Sequence, residues 1–170
     1  MIFGFLMANV LGVSGFCNSL ENGTSAYYRH GDHKAAFSFW SKSCGYGNKD
    51  GCHNLAMLYA NGEGVKQDYI QAVKFYTEAC NYGSEEGCYF LANKYKDGKG
   101  VKQDYIQAVK LYIKSCENRD NRACYQLGDI YEKGAQGVKQ DYDKAKAFFK
   151  KICSNDPFFI DSCSRYENIN

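Results

Sequence analysis

Nine cysteines, at positions 17, 44, 52, 80, 88, 116, 124, 153 and 163, are the residues whose spacing speaks most directly of chemistry. All but Cys17 fall into pairs eight or ten residues apart. Along one continuous helix an eight-residue step separates the α-carbons by about 12 Å, at roughly 1.5 Å per residue, beyond the roughly 7 Å a disulfide tolerates. The chain must therefore turn between the two members of each pair, and CGYGNKDGC and CNYGSEEGC carry glycines for such a turn. Zinc ligation fits less well, because zinc-binding cysteines come about two to four residues apart, and His30, His33 and His53 do not recur with the cysteines. His30-Gly31-Asp32-His33 is the nearest approach to a histidine cluster, and Asp32 in it reads as a helix cap. No metal site and no cofactor are expected.

A repeat must position these cysteines. Gly64 to Tyr76 reads GVKQDYIQAVKFY and Gly100 to Tyr112 reads GVKQDYIQAVKLY, a period of thirty-six residues. A third copy, GVKQDYDKAKAFF, runs from Gly137 to Phe149, displaced by one extra residue assigned to the loop around Ala135 and Gln136. A degenerate fourth precedes them, with Asp32, Ala36, Trp40 and Cys44 matching Asp68, Ala72, Tyr76 and Cys80. Each unit divides into two helices. The first carries an apolar stripe such as Leu55, Ala56, Leu58 and Tyr59 and ends at glycines (Gly62 and Gly64, Gly98 and Gly100, Gly134 and Gly137). The second starts at Asp68, Asp104 or Asp141 as N-cap and buries Ala72, Phe75, Tyr76 and Ala79 in one copy, and Ala108, Leu111 and Tyr112 in the next. The fold class is all-α: a right-handed α/α solenoid of antiparallel helix pairs with one disulfide per repeat.

Eight cysteines allow about 105 pairings. The repeat leaves Cys44–Cys52, Cys80–Cys88, Cys116–Cys124 and Cys153–Cys163 as the translationally consistent set of short bridges. In the chain-entropy model a nine-residue loop makes each worth roughly 2 to 3 kcal/mol. Persistent disulfides call for an oxidising compartment. The apolar stretch from Ile2 to Phe16, followed by small residues at Val13-Ser14-Gly15, has the pattern of a signal peptide. Residues 1–15 are accordingly read as a partial signal peptide and 16–170 as one solenoid of about four units, the first and last atypical, with no internal boundary. The location expected is secreted or periplasmic, with no membrane span. A net charge of +2, and no run of five like charges, argue against nucleic acid as a partner. A monomer is expected.

The pattern LxLYxxGxGVxxDxxxAxxxYxxAC, carried from Leu55 to Cys80, resembles the Sel-like repeat, a relative of the tetratricopeptide repeat, over Cys44 to Cys153. With a cysteine pair in every unit the chain is similar to the secreted bacterial cysteine-rich Sel-like repeat proteins of the Hcp type. That resemblance implies penicillin binding and slow β-lactamase activity. The residues do not supply the matching machinery: no S-x-x-K places a serine and a lysine on one helix face, and no K-T-G is present. The catalytic nucleophile is unknown. In the first unit four residues of the usual loop are missing before Asp32, which suits a cap, and Phe158, Phe159 and Ile160 are expected to close the core at the other end.

Binding asks less of the sequence than catalysis. Stacked as in tetratricopeptide arrays, the first helices line a concave face, and the positions that the core leaves free display His53, Asn54 and Met57, then Tyr89, Asn93 and Lys96, then Tyr125, Gln126, Asp129 and Glu132. Rings supply buried area and amides pair with backbone groups, which suits a peptide or a peptidoglycan fragment. The expected partners are a peptide, a peptidoglycan fragment, a β-lactam or a host protein. The alternative is a structural adaptor of the cell envelope without catalytic activity.

Overall fold

The computed structural model describes residues 18–156 and 159–169, and over these the chain is all-helical apart from one isolated bridge between Ala135 and Val138. The expected signal segment, Cys17 and Phe158 lie outside the described residues. In chain order the helices are α1 (18–30), α2 (His33–Gly45), α3 (Lys49–Asn61), α4 (Tyr69–Asn81), α5 (Glu85–Asp97), α6 (Tyr105–Glu117), α7 (Asn121–Lys133), α8 (Tyr142–Asn155) and α9 (Ile160–Asn168). None is long and apolar enough to cross a membrane. The chain separates into two compact units, one ending at Gly87 and one beginning at Cys88.

The repeated GVKQD sequence is a joint between helices. Asp68, Asp104 and Asp141 each cap the following helix, with a carboxylate oxygen accepting from the amides of Gln71, Gln107 and Lys144. The glutamine before each aspartate has the opposite duty. Gln67, Gln103 and Gln140 donate Nε2–H to the last-turn carbonyls of Ala60, Lys96 and Glu132 at 2.8, 2.8 and 2.7 Å, satisfying acceptors that a helix end leaves open. The aspartate amides close the same loop on Tyr59, Tyr95 and Tyr131. Gly62, in the left-handed conformation at φ 76°, ends α3 where a side chain would be strained. The extra residue of the third copy sits in the Ala135–Val138 turn.

In the first unit α2 packs on α3 and α3 on α4, around Trp40, Leu55, Leu58, Ala36 and Ala79. Gly23 brings α1 against the Trp40 indole, where a β-carbon would collide with the ring. In the second unit α6 packs on α7, α7 on α8 and α8 on α9, around Tyr112, Leu127, Phe149 and Ile152. Gly128 lies so close to Phe149 that an added β-carbon would stand 2.5 Å from Cε1. Of the residues expected to close the terminal core, Phe159 packs at its margin, but Ile160 is 75% exposed and Ile169 is buried in its stead. The first residue of α9 points outward, whereas the residue after its last turn folds back.

Cys44–Cys52, Cys116–Cys124 and Cys153–Cys163 are bridged, with α-carbons 4.5, 4.9 and 5.0 Å apart, and Cys80 and Cys88 are disulfide-bonded as well. The chain does turn between partners, but not every glycine in the motif makes the turn. Gly47 and Gly83 do, at φ 79° and 89°, while Gly51 and Gly87 lie inside α3 and α5. They permit close approach instead: a β-carbon on Gly51 would stand 2.6 Å from Ser43 Oγ, and one on Gly87 2.7 Å from Ala79 Cβ. In the CENRDNRAC turn the left-handed position falls to Arg119, at φ 70°.

Candidate binding cleft on the second unit

The residues that repeat faithfully are spent on caps and core, so a site must be built from those that differ between units. Tyr89 and Tyr125 each follow a stapled cysteine in the first turns of α5 and α7. Both rings lean inward on buried aromatics, Tyr89 on Tyr112 at 5.9 Å between centroids and Tyr125 on Phe149 at 5.8 Å. Their outer edges line a cleft of about 290 Å³ with Arg122, Gln126, Phe159 and Asp161. A second cleft, of about 350 Å³, lies along the same helix at Lys96, Tyr105, Asp129 and Lys133 and shares Gln126 with the first. Lys96 Nζ donates to Gln126 Oε1 at 2.9 Å, which orients the carboxamide between the two.

Arg165 on α9 ties the far wall together. It donates through Nη1 to Tyr125 Oη at 2.8 Å and through Nη2 to Asp129 Oδ1 at 3.1 Å, pairs with Glu132, and lies 4.4 Å over the Phe149 ring. Tyr125 in turn donates its hydroxyl proton to Asp161 at 2.8 Å. Burial and the bond to Asp161 push the Tyr125 phenol up, against the opposing pull of Arg165. Burial works to raise Asp129, but hydrogen bonds from Lys133 and Arg165 outweigh it and hold the carboxyl below its ordinary value. Neither group is tuned toward neutral pH, where an acid or base catalyst is most effective. The arrangement presents rings, an amide and a fixed carboxylate, which is equipment for holding a ligand.

The ten residues expected at the binding face have different fates. Tyr89, Tyr125 and Gln126 share the cleft, and Lys96 and Asp129 line its neighbour. Glu132 is committed to Arg165. Asn93 accepts the Tyr112 hydroxyl at 2.5 Å, a structural duty under a fully buried ring. His53, Asn54 and Met57 belong to the first unit. There His53 packs against Tyr76 with Nε2 3.8 Å from a Glu86 oxygen, Met57 borders the core, and Asn54 is half-buried. Arg122, Asp161 and Arg165 were not foreseen, and Phe159 was expected only in the terminal core. A signal existed for two of them: arginine is scarce in this lysine-rich chain, at positions 29, 119, 122 and 165 only. The sole set of His, Cys and acidic groups close enough to share a metal, among the described residues, is Cys44, Cys52 and Glu78.

A stapled array of helix pairs defines a disulfide-rich helical-repeat protein. The Sel1 repeat model matches residues 49–84, 85–120 and 121–157, and the chain belongs to the Sel1 repeat family. No curated protein matches it. Among solved structures it is similar to a protective antigen present in uropathogenic Escherichia coli strains that displays an SLR fold, with 29% identity and a TM-score of 0.79 over 87% of this chain and 32% of that one. It is also similar to Helicobacter pylori cysteine rich protein B, at 37% identity and TM-score 0.53 over 54% of this chain and 69% of that one. A Sel1 repeat protein from Oxalobacter formigenes shares the fold at 21% identity and TM-score 0.73, over 79% and 55% of the respective chains. The chain thus spans about a third of the first of these.

Proposed function

We propose that this is an extracytoplasmic binding module that takes a peptide or a peptidoglycan stem peptide along the α5–α7–α9 surface of its second unit. The observation that carries the reading is the aromatic cleft of Tyr89, Tyr125 and Phe159, edged by the carboxamide of Gln126 and the carboxylate of Asp161. Its volume of about 290 Å³ suits one side chain or ring, with Gln126 placed to pair with the adjoining backbone amide. The disulfides fit an oxidising compartment. A host protein would be held by the same chemistry through an exposed loop or terminus. A β-lactam, the ligand that the Hcp resemblance implies, is a modified dipeptide and would enter as a peptide mimic.

Titration of the oxidised chain with peptides selected from a random library tests this. Saturable binding is expected to weaken at least tenfold in Tyr89→Ala/Tyr125→Ala and in the milder Gln126→Lys, with circular dichroism unchanged. Equal affinity in both variants would remove the cleft as the site and favour an adaptor that docks by another face.

A further inference from the structure

In this repeat the residue two positions before each second-helix cysteine takes a fixed place. It is Lys42 before Cys44, Glu78 before Cys80, Lys114 before Cys116 and Lys151 before Cys153. In two units the structure shows where that side chain goes: to a cysteine of the preceding staple. In the second unit Lys151 Nζ donates to the Cys116 carbonyl at 3.1 Å. In the first unit the same place holds the one acidic member of the series, and Glu78 Oε2 stands 3.4 Å from Cys44 Sγ. A lysine there can satisfy a carbonyl. A carboxylate beside a sulfur has no such partner in an intact disulfide, since neither sulfur carries a proton to donate.

We propose that Cys44, Cys52 and Glu78 form a redox-gated site for zinc or another thiophilic divalent cation, absent while the disulfide is closed and assembled when it is reduced. The three ligand atoms lie within 4.8 Å of one another. Tetrahedral zinc, with Zn–S of about 2.3 Å and Zn–O of about 2.1 Å, sets sulfur and oxygen about 3.6 Å apart. Glu78 and Cys44 already stand near that separation. Both cysteines are buried, at 4% and 0% exposure, so the site is dry except where Glu78 reaches half-exposed to its rim and a water can complete the fourth position. The steps balance. A dithiol reductant gives two electrons and two protons, opening the S–S bond to two thiols and becoming a disulfide itself. Zn²⁺ then displaces both thiol protons to solvent and gains two thiolates and the carboxylate. Reduction, which removes a staple, would thereby be offset by a metal staple at the same place.

The test uses the full chain under anaerobic conditions, reduced with a phosphine so that no reductant thiol competes. Zinc is titrated against a chromogenic chelator, and cobalt is added in parallel for its tetrahedral thiolate spectrum. The reduced wild type is expected to bind one zinc at least tenfold more tightly than reduced Glu78→Gln, and to show the cobalt spectrum. That difference should persist in a Cys116→Ser/Cys124→Ser background and vanish in Cys44→Ser/Cys52→Ser, and the oxidised chain should bind none. Zinc should also raise the melting temperature of reduced wild type more than that of reduced Glu78→Gln. Equal zinc affinity in wild type and Glu78→Gln overturns the proposal, including the case where reduction simply unfolds the chain. A signal that follows Cys116 and Cys124 overturns it too.

Discussion

Gly128→Ala tests how tightly α7 rests on α8, the contact on which the cleft's tyrosine wall depends. A β-carbon there would stand 2.5, 2.6 and 3.0 Å from Cε1, Cζ and Cδ1 of Phe149, where ordinary contact begins at 3.4 Å. Phe149 is fully buried, with Tyr125 against one edge and the Arg165 guanidinium over its face, so it cannot swing aside. The helices must part by about 1 Å, and overpacking of that kind costs about 1 to 3 kcal/mol. Alanine recovers about 1 kcal/mol of helix propensity, leaving a net loss of up to about 2 kcal/mol. For a chain of this length that lowers the melting temperature by up to about 8 °C. Gly45→Ala is the control, since a β-carbon on that last residue of α2 meets nothing within 4 Å. It should be neutral or stabilising by up to about 1 kcal/mol. Calorimetry on the oxidised proteins decides: a Gly128→Ala protein as stable as Gly45→Ala would refute the close α7–α8 packing.

Arg119→Gly should stabilise by up to about 1 kcal/mol in chemical denaturation, because it relieves a left-handed non-glycine residue. Its hydrogen-bonded turn is otherwise unchanged. Tyr27 donates to Glu63 at 2.7 Å, and that bond, with burial, pushes its phenol up to about 12. Since the folded value is the higher one, its contribution to stability is intact below the ordinary value of about 10 and is lost as pH rises toward 12. Tyrosinate absorbance should show several late-titrating phenols, since burial also raises Tyr76 and Tyr112, and one of them should move toward 10 in Glu63→Gln. For Asp129, held below its ordinary carboxyl value, the contribution is present above about 3.9 and lost as pH falls beneath that. Arg165→Met should raise the Asp129 titration seen by carboxyl NMR and move the acid-unfolding midpoint to higher pH.

Wherever the thirty-six-residue period held, the fold was legible. The Asp caps, the glycine helix ends and the short bridges all recur as identical residues, so each repetition tested the reading of the others. Gly51 and Gly87 were misplaced in the turn because their sequence neighbours look like a loop; their real constraint is the distance to Ser43 and Ala79 on another helix, which spacing alone does not encode. The capping role of Gln67, Gln103 and Gln140 depends likewise on the three-dimensional path of the loop. Half of the cleft was legible from Tyr89, Tyr125 and Gln126, residues that change between units. The other half comes from α9, where Asp161 and Arg165 stand thirty-six residues after Tyr125 and Asp129, but the cysteine that marks the register in the other units is displaced by the ten-residue spacing of Cys153 and Cys163. His53 and Met57 occupy equivalent sequence positions, yet the first unit uses them for packing against Tyr76 and the core margin.

Chemical-shift mapping on isotope-labelled, oxidised protein tests the central claim most directly, with a library-selected peptide and a peptidoglycan stem peptide as ligands. The cleft account predicts saturable shifts centred on Tyr89, Tyr125, Gln126 and Phe159, saturating at ligand concentrations at least tenfold higher in Gln126→Lys. Shifts centred instead on helices α6 and α8, or the same saturation midpoint in Gln126→Lys, would contradict it.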